Sequence, residues 1–143
     1  MKLKKTSITN YRCFKEAEID FDEHTTLIVG KNGAGKTAIL DAVAVAISTF
    51  LLGIDGGVSR SISKDDARYE FYDLDGTVDP QHQFPVSIES TGDCLDNHDV
   101  KWVRSLNSES GNTTVKEARE LTNISKNTQK RIMTGDKSLI LPL

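Results

Sequence analysis

One octapeptide of the chain has the residue types and spacing of a phosphate-binding loop. It is Gly30-Lys31-Asn32-Gly33-Ala34-Gly35-Lys36-Thr37, and it follows the pattern G-x-x-x-x-G-K-[ST]. In such a loop, successive backbone N–H groups surround a polyphosphate, and the glycines let the backbone approach it closely. In this motif, Lys36 is expected to supply the cation that contacts the β- and γ-phosphates, and the hydroxyl of Thr37 is expected to bind Mg²⁺. The octapeptide therefore predicts a site for a nucleoside triphosphate.

The segments on either side of the octapeptide have the patterns of a strand and a helix. Residues 25–29 are β-branched and apolar, which predicts a buried parallel strand. Residues 38–52 are apolar on nearly every face, which predicts a buried helix, and Gly53 stands where a C′ glycine would end that helix. Strand, glycine loop and helix in this order aim a helix N-terminus at an anion.

The bulk properties are those of one ordinary domain. The chain has 143 residues, of which 37% are hydrophobic and 27% are charged. Its two cysteines form no C-x-x-C pair, which favours reduced thiols in a cytoplasm. The sequence predicts no membrane span, since such a helix needs about 20 apolar residues, and the basic N-terminus does not resemble a signal peptide. We therefore expect a cytoplasmic protein with no membrane partner.

The net charge of −3 is unevenly distributed along the chain. The first segment is basic, the middle is acidic, and the last third is basic again. The cations of this last block are Lys116, Arg119, Lys126, Lys130, Arg131 and Lys137. Such blocks are usually solvated faces, and a direct nucleic-acid surface is the alternative.

Further strands and a second helix are predicted on both sides of the loop. The strands are expected at residues 8–14, 17–21, 68–72, 84–89 and 100–106, the last three forming a small meander with turns near Asp75-Gly76 and Asp96-Asn97. Thr114 and Glu117 have the spacing of a capping box, which predicts a helix that ends at Gly135.

The last residues, 138–143, form an apolar run without a polar close. We expect the chain to be the front part of a longer protein.

Three segments, residues 8–14, 18–21 and 27–37, resemble the start of RecF/SMC-type ATPase heads, which are ABC-like ATPases. The Asn-Gly-x-Gly-Lys form of the loop is typical of that superfamily. The acidic meander with Trp102, the capped helix and the Leu-Pro-Leu run are similar to one subgroup, the PtuA-like AAA-family ATPases of Septu and retron anti-phage defence systems.

The resemblance implies an α/β fold, the N-terminal lobe of a P-loop NTPase with a leading antiparallel β-hairpin and a small β-meander. The lobe would span residues 1–143 in three parts. These parts are 1–53 with the hairpin, phosphate-loop strand and helix, 54–112 with the acidic loop and meander, and 113–143 with the capped helix and terminal strand.

The resemblance also implies ligands and partners. ATP would be held by the loop, and Mg²⁺ by Thr37 and a glutamine, for which Gln81 and Gln83 are the candidates. Arg12 would contact a phosphate or the ribose, with an exposed strand charge as its alternative. The heads would self-associate, pair with an HNH-type nuclease and act on nucleic acid, either DNA or the reverse-transcribed DNA/RNA of a retron.

Several family elements are missing from these residues. The chain has no apolar strand ending in Asp-Glu, no signature serine-glycine motif and no switch histidine, so no catalytic residue is assigned. We expect ATP binding with poor hydrolysis by this chain alone, and ATPase activity only as part of a full-length protein.

Other functions remain open at this point. They include a RecF-like ATPase of DNA repair and a non-catalytic, nucleotide-gated interaction module. Asp73-Leu74-Asp75-Gly76-Thr77-Val78 also matches the nucleophile loop of haloacid-dehalogenase-type phosphatases, although a hairpin turn explains the same letters. The chain lacks the guanine-reading motif of a GTPase. Its residues His82, Cys94 and His98 do not have the spacing of a zinc site.

Overall fold

A computed structural model of the protein describes residues 1–74 and 76–135. The strands are β1 (Lys2–Tyr11), β2 (Phe14–Asp20), β3 (Tyr69–Leu74), β4 (Thr77–His82), β5 (Val86–Cys94) and β6 (Asn97–Leu106). The helices are α1 (Lys36–Ser48) and α2 (Arg119–Met133), and short 3-10 turns lie at Thr49–Gly53, Lys64–Asp66 and Lys116–Ala118.

The main sheet has four antiparallel strands in the order β2-β1-β5-β6. Ile8 of β1 lies opposite Ala17 of β2 on one side and Ile88 of β5 on the other. Ile88 in turn lies opposite Arg104 of β6. The buried side chains alternate along β5 and β6, as expected for a sheet with one face against a core.

Helix α1 packs across the buried face of this sheet. Ala42, Val45 and Ala46 on its inner side are fully buried, and the small alanines allow the helix to lie close to the strands. The indole N–H of Trp102 on β6 donates to the carbonyl of Ala46 at 3.1 Å. Buried Arg104 donates to the hydroxyl of Thr49 at 3.1 Å. These contacts fix the position of α1, and thereby of the loop that precedes it.

The prediction of a buried parallel strand at residues 25–29 is wrong for this structure. The segment forms no strand ladder, and the side chains of Leu27 and Val29 are 81% and 77% exposed. An apolar run becomes a strand only when a neighbour satisfies its backbone groups. All strand pairs within the described residues are antiparallel and involve other segments.

The predicted meander is instead divided between two sheets. β5 and β6 extend the sheet begun by β1 and β2, whereas β3 and β4 form a separate hairpin. Strand β4 was not predicted, because it contains Pro80 and proline is restricted to edge strands. The expected turns, near Gly76 and between β5 and β6, are confirmed.

The first hairpin turns three residues earlier than predicted. Residues 8–14 are not one strand, since β1 ends at Tyr11 and β2 begins at Phe14. Arg12 at the turn has a φ of +51°, a left-handed conformation that interrupts the strand.

The capping-box prediction is wrong. Thr114 accepts a hydrogen bond from the N–H of Ser105 through its hydroxyl and donates its own N–H to the Ser105 carbonyl. It therefore extends the edge of β6, and α2 begins only at Arg119. The predicted end is confirmed, since Gly135 follows α2 with a φ of +87°. Residues 138–143 and Asp75 lie outside the described residues.

Gly53 has a different role from the predicted C′ glycine. A Cβ at Gly53 would lie 1.7 Å from Oγ of Ser125 and 2.3 Å from the carbonyl oxygen of Thr122. The glycine is needed because α2 crosses directly over it.

The helical stretch Lys36–Gly53 has the length and composition to cross a membrane, which the sequence reading did not anticipate. The core helix of a globular fold passes the same test, and Ala42, Val45 and Ala46 are packed against the sheet.

Candidate nucleotide-binding site

The octapeptide forms a loop that leads directly into α1. Gly33 and Gly35 have φ values of +83° and +89°, which residues with a Cβ rarely adopt. Gly35 is the N-cap residue, and Lys36 and Thr37 begin the helix. The first N–H groups of a helix have no intrahelical acceptor and carry the positive end of its dipole. The loop therefore offers donors to an anion at the N-terminus of α1.

The ammonium group of Lys36 lies inside the loop. Its Nζ donates to the carbonyl oxygens of Gly30 at 2.7 Å and of Lys31 at 2.8 Å. The N–H of Ala34 donates to the same Lys31 carbonyl at 3.2 Å. Lys31, Asn32 and Ala34 have exposed side chains, so the mouth of the loop is open to solvent.

The tip of the β1–β2 hairpin lies against the loop, a contact that the sequence did not reveal. A Cβ at Gly35 would lie 2.5 Å from Cζ of Phe14 and 2.7 Å from Sγ of Cys13. Gly35 is thus required for two reasons: its φ is left-handed, and the hairpin approaches it too closely for a side chain. Cys13 is exposed and carries a free thiol.

Arg12 lies at the same hairpin tip and joins three elements. Its Nε donates to Oδ1 of Asp66 at 2.9 Å, and its Nη1 donates to Oδ2 of Asp41 on α1. The other oxygen of Asp41 pairs with Nη2 of Arg60 at 2.9 Å. The alternative of an isolated, exposed strand charge is wrong, because the side chain is 33% exposed and doubly paired. Contact with ATP stays a prediction for Arg12.

The cluster around Arg12 shifts the pKa values of its neighbours. Burial by itself would raise the pKa of Asp66, but hydrogen bonds from the backbone and hydroxyl of Ser63 and from Arg12 outweigh it and hold the pKa below its usual range. Burial raises the pKa of Tyr11 to about 12. The Arg12 guanidinium lies 5.4 Å from the centre of the Tyr11 ring. At neutral pH the cluster therefore contains charged Arg12 and Asp66 beside a neutral phenol.

Thr37 is exposed in the first turn of α1, one turn before Asp41. The described residues contain no group of three or more His, Cys, Asp or Glu side chains that could hold a metal ion. Mg²⁺ keeps several waters and commonly takes its remaining ligands from substrate phosphates. Magnesium binding by the Thr37 hydroxyl stays a prediction.

The two glutamines proposed as metal ligands lie at the β3–β4 hairpin. Gln81 is part of β4, and its amide donates to Oδ2 of Asp79 at 3.2 Å. The N–H of Gln83 donates to the carbonyl of Arg68 at 2.8 Å. Gln81 thus lies in a strand that the sequence analysis did not predict, and magnesium binding by either glutamine stays a prediction.

Where they are described, the residues of the competing motifs make ordinary structural contacts. Asp73 accepts a hydrogen bond from the N–H of Gly76 at 2.9 Å, as in a hairpin turn. His98 lies 3.5 Å from Asp93, and Cys94 is buried with a free thiol. The pKa of the Cys94 thiol is raised by burial.

The chain is similar to known proteins in sequence and in fold. The profile of a family described as AAA domain matches residues 5–141. The RecF protein of Flavobacterium johnsoniae is 54% identical over 43 residues, which are 30% of this chain and 12% of that protein. The Rad50 ATPase of Archaeoglobus fulgidus is 48% identical over 44 residues, covering 31% of this chain and 5% of that protein.

Matches that cover more of the chain have lower sequence identity. RecF of Actinobacillus pleuropneumoniae is 32% identical over 100 residues, covering 66% of this chain and 26% of that protein. A solved chain from a study of ATP-driven dimerisation and DNA-stimulated activation of SMC ATPases superposes with a TM-score of 0.54. That match has 20% identity and covers 87% of this chain and 80% of the other.

The family profile identifies the family, and the superposition identifies the fold. The chain spans 26% or less of the length of the curated relatives named above. The chain belongs to the AAA domain family, is similar over part of its length to RecF and Rad50 proteins, and shares the fold of a solved SMC ATPase chain.

Proposed function

We propose that the protein binds ATP with Mg²⁺ at residues 30–37 and works as the nucleotide-binding lobe of a dimerising ATPase. The observation that carries this proposal is the contact of the β1–β2 hairpin with Gly35, because it builds a wall beside a complete phosphate loop. Backbone N–H groups would hold the phosphates, and Thr37 would hold the magnesium ion, which supplies positive charge to the transferred phosphoryl group.

Lys36 would change partners when the nucleotide binds. In the structure its ammonium donates to two loop carbonyls, at Gly30 and Lys31. A triphosphate in the loop offers charged oxygens instead, and hydrogen bonds to charged acceptors are the stronger ones. Binding would therefore move the ammonium from the loop backbone to the β- and γ-phosphates.

The sequence has no apolar run that ends in Asp-Glu and no signature motif, so hydrolysis would depend on further elements. We propose that two heads associate around ATP and that hydrolysis separates them. The solved chain with the same fold comes from a study of ATP-driven dimerisation, which supports this part of the proposal. Robust turnover by these 143 residues alone would contradict it.

For the biological role we propose the ATPase component of a cytoplasmic anti-phage defence system of the Septu or retron type, controlling an HNH-type nuclease. The support is the similarity of Trp102, the helix after the meander and the Leu-Pro-Leu run to that subgroup. The test is protection against phage by the defence operon carrying Lys36→Ala, with Lys101→Ala as control. Loss of protection only in the first variant is expected, and unchanged protection in both would refute the role.

A DNA-repair ATPase is the second candidate, and the names of the curated relatives favour it. Both RecF proteins are described as DNA replication and repair proteins, and Rad50 as a DNA double-strand break repair ATPase. Sensitivity of a deletion strain to DNA damage, without any change in phage resistance, would favour repair over defence.

A further inference from the structure

An apolar groove lies at the end of α1 that is remote from the phosphate loop. Its lining includes Ile47 of α1, Leu51 of the 3-10 turn after it, Leu95 of the β5–β6 turn and Ile132 of α2. The volume of the groove is about 600 Å³. Ile47, Leu51 and Ile132 are 47%, 41% and 55% exposed. Apolar surface that is contiguous and open to solvent marks a place where another apolar group packs.

The side chains that line the groove leave few polar atoms for a ligand. The two hydroxyl groups of the lining, on Ser48 and Thr128, donate to the carbonyl oxygens of Val45 at 3.2 Å and of Ile124 at 2.8 Å. The Ser48 hydroxyl also accepts the backbone N–H of Arg60 at 2.9 Å. Among the described lining residues, no side chain is charged. A polar occupant would lose its hydrogen bonds to water there, so the groove fits an apolar one.

We propose that residues 139–143, with the sequence Leu-Ile-Leu-Pro-Leu, occupy this groove. These residues follow α2, and Ile132 near the end of that helix already lines the groove. Gly135 has a φ of +87°, the conformation that commonly turns the chain away from a helix axis. Residues 136–138 then span at most about 10 Å, which keeps residues 139–143 close to the groove.

A second copy of the chain fits the groove less well than residues 139–143 do. Eleven residues line the groove, whereas each partner in a standard protein–protein interface contributes about 20–30. A second copy must also lose its translational and rotational freedom. Residues 139–143 are tethered beside the groove, and they carry no charge that would have to be desolvated.

Docking of this kind gives α1 a contact at each end. The phosphate loop leads into the N-terminus of α1, and the groove includes Ile47 near its C-terminus. Residues 139–143 thus hold the helix of the nucleotide site from the end opposite to the nucleotide.

The first test is a double-mutant cycle in the complete protein, read out by thermal unfolding. The variants are Ile47→Ala, Leu141→Ala and the two combined, with Val58→Ala as the control. Val58 is 82% exposed and does not line the groove, so its truncation should change Tm by about 1 °C or less. If residues 139–143 fill the groove, Ile47→Ala and Leu141→Ala should each lower Tm by about 5 °C. The loss in the combined variant should then be smaller than the sum, because both changes remove the same contact.

The second test is disulfide trapping, which stays informative if the truncated variants unfold. In a variant without the two native cysteines, Leu51→Cys is combined in turn with Leu139→Cys, Leu141→Cys or Leu143→Cys. A disulfide requires Cα atoms within about 7 Å of each other. At least one of the three pairs should form an intramolecular disulfide under mild oxidation. The control Val58→Cys, in place of Leu51→Cys, should form none.

The proposal is overturned if none of the three Leu51→Cys pairs forms an intramolecular disulfide. It is also overturned if the Tm losses of Ile47→Ala and Leu141→Ala are fully additive, or if Ile47→Ala changes Tm no more than Val58→Ala does. Disulfides that join two copies would assign the groove to a second copy and would overturn the proposal as well. None of these outcomes depends on ATP binding at residues 30–37.

Discussion

Gly35 lies directly against the ring of Phe14, so that a Cβ on the glycine would come within 2.5 Å of Phe14 Cζ. This contact joins the phosphate loop to a hairpin that precedes it in the sequence. The shape of the loop therefore depends on the tip of the main antiparallel sheet as well as on its own glycines.

The variant Gly35→Ala tests this contact, with Gly33→Ala as its matched control. Both glycines have a left-handed φ, but a Cβ at Gly33 meets nothing within 4 Å. Gly33→Ala should therefore lose only the free energy needed to hold an alanine in a left-handed conformation, about 1–2 kcal/mol. Gly35→Ala should bind ATP more weakly than Gly33→Ala and unfold at a lower temperature, because Phe14 and Cys13 must move. Equal ATP affinity and equal Tm in the two variants would show that the hairpin contact is unimportant.

The Asp66–Arg12 pair predicts a dependence of stability on pH. The folded state holds the pKa of Asp66 below its value in the unfolded chain, which is about 4. The ionised carboxylate therefore stabilises the fold fully above that unfolded pKa. This stabilisation is lost as the pH falls through the folded pKa. Asp66→Asn should cost about 1–3 kcal/mol of unfolding free energy at pH 7. The difference from wild type should shrink below about pH 4.

Denaturant unfolding at several pH values measures this difference. A gap between wild type and Asp66→Asn that stays constant from pH 7 down to pH 3 would contradict the assignment. Asp65→Asn is a suitable control, because Asp65 is exposed and next to Asp66 in the same short turn.

The crossing of α2 over Gly53 predicts a strong packing effect. Gly53→Ala places a Cβ against Ser125 Oγ and the Thr122 carbonyl, and such overpacking typically costs about 1–3 kcal/mol. Gly56→Ala is the control, since it has a left-handed φ but open space around it. Thermal unfolding should show the larger loss for Gly53→Ala. The opposite order would mean that α2 can shift freely.

The exposed segment at residues 25–29 predicts fast amide exchange. Its N–H groups have no ladder partner in the described fold, whereas Thr6 lies in the central strand β1 between β2 and β5. Hydrogen exchange of the 143-residue chain should label residues 27–29 much faster than Thr6. Protection of residues 27–29 equal to that of Thr6 would mean that the segment is paired, as the sequence pattern first indicated.

The sequence predicted those parts of the molecule that depend on local pattern. The loop at residues 30–37, the apolar helix after it and strands within β5 and β6 were all predicted, because local sequence pattern determines them. Pairing between distant segments was not foreseen. Residues 25–29 look like a core strand, yet whether they form one depends on a neighbour that the described chain does not provide.

The sequence predicted the residues of the phosphate loop and their roles, but not the residues that pack around the loop. The roles of Gly35 and Lys36 follow from the motif, whereas the approach of Phe14 depends on where the first hairpin turns. Arg12 was identified as a residue of interest, but its two carboxylate partners are distant in the sequence, at Asp41 and Asp66. Only a folded chain brings such residues together.

The most direct test of the central claim is calorimetric measurement of ATP binding, with Mg²⁺, by the wild type, Lys36→Ala and the control Lys101→Ala. We predict that the wild type and the control bind equally. Lys36→Ala should bind about 10- to 100-fold more weakly or not at all, because a charge-assisted hydrogen bond to phosphate is lost. Undiminished ATP binding by Lys36→Ala would contradict the proposed site.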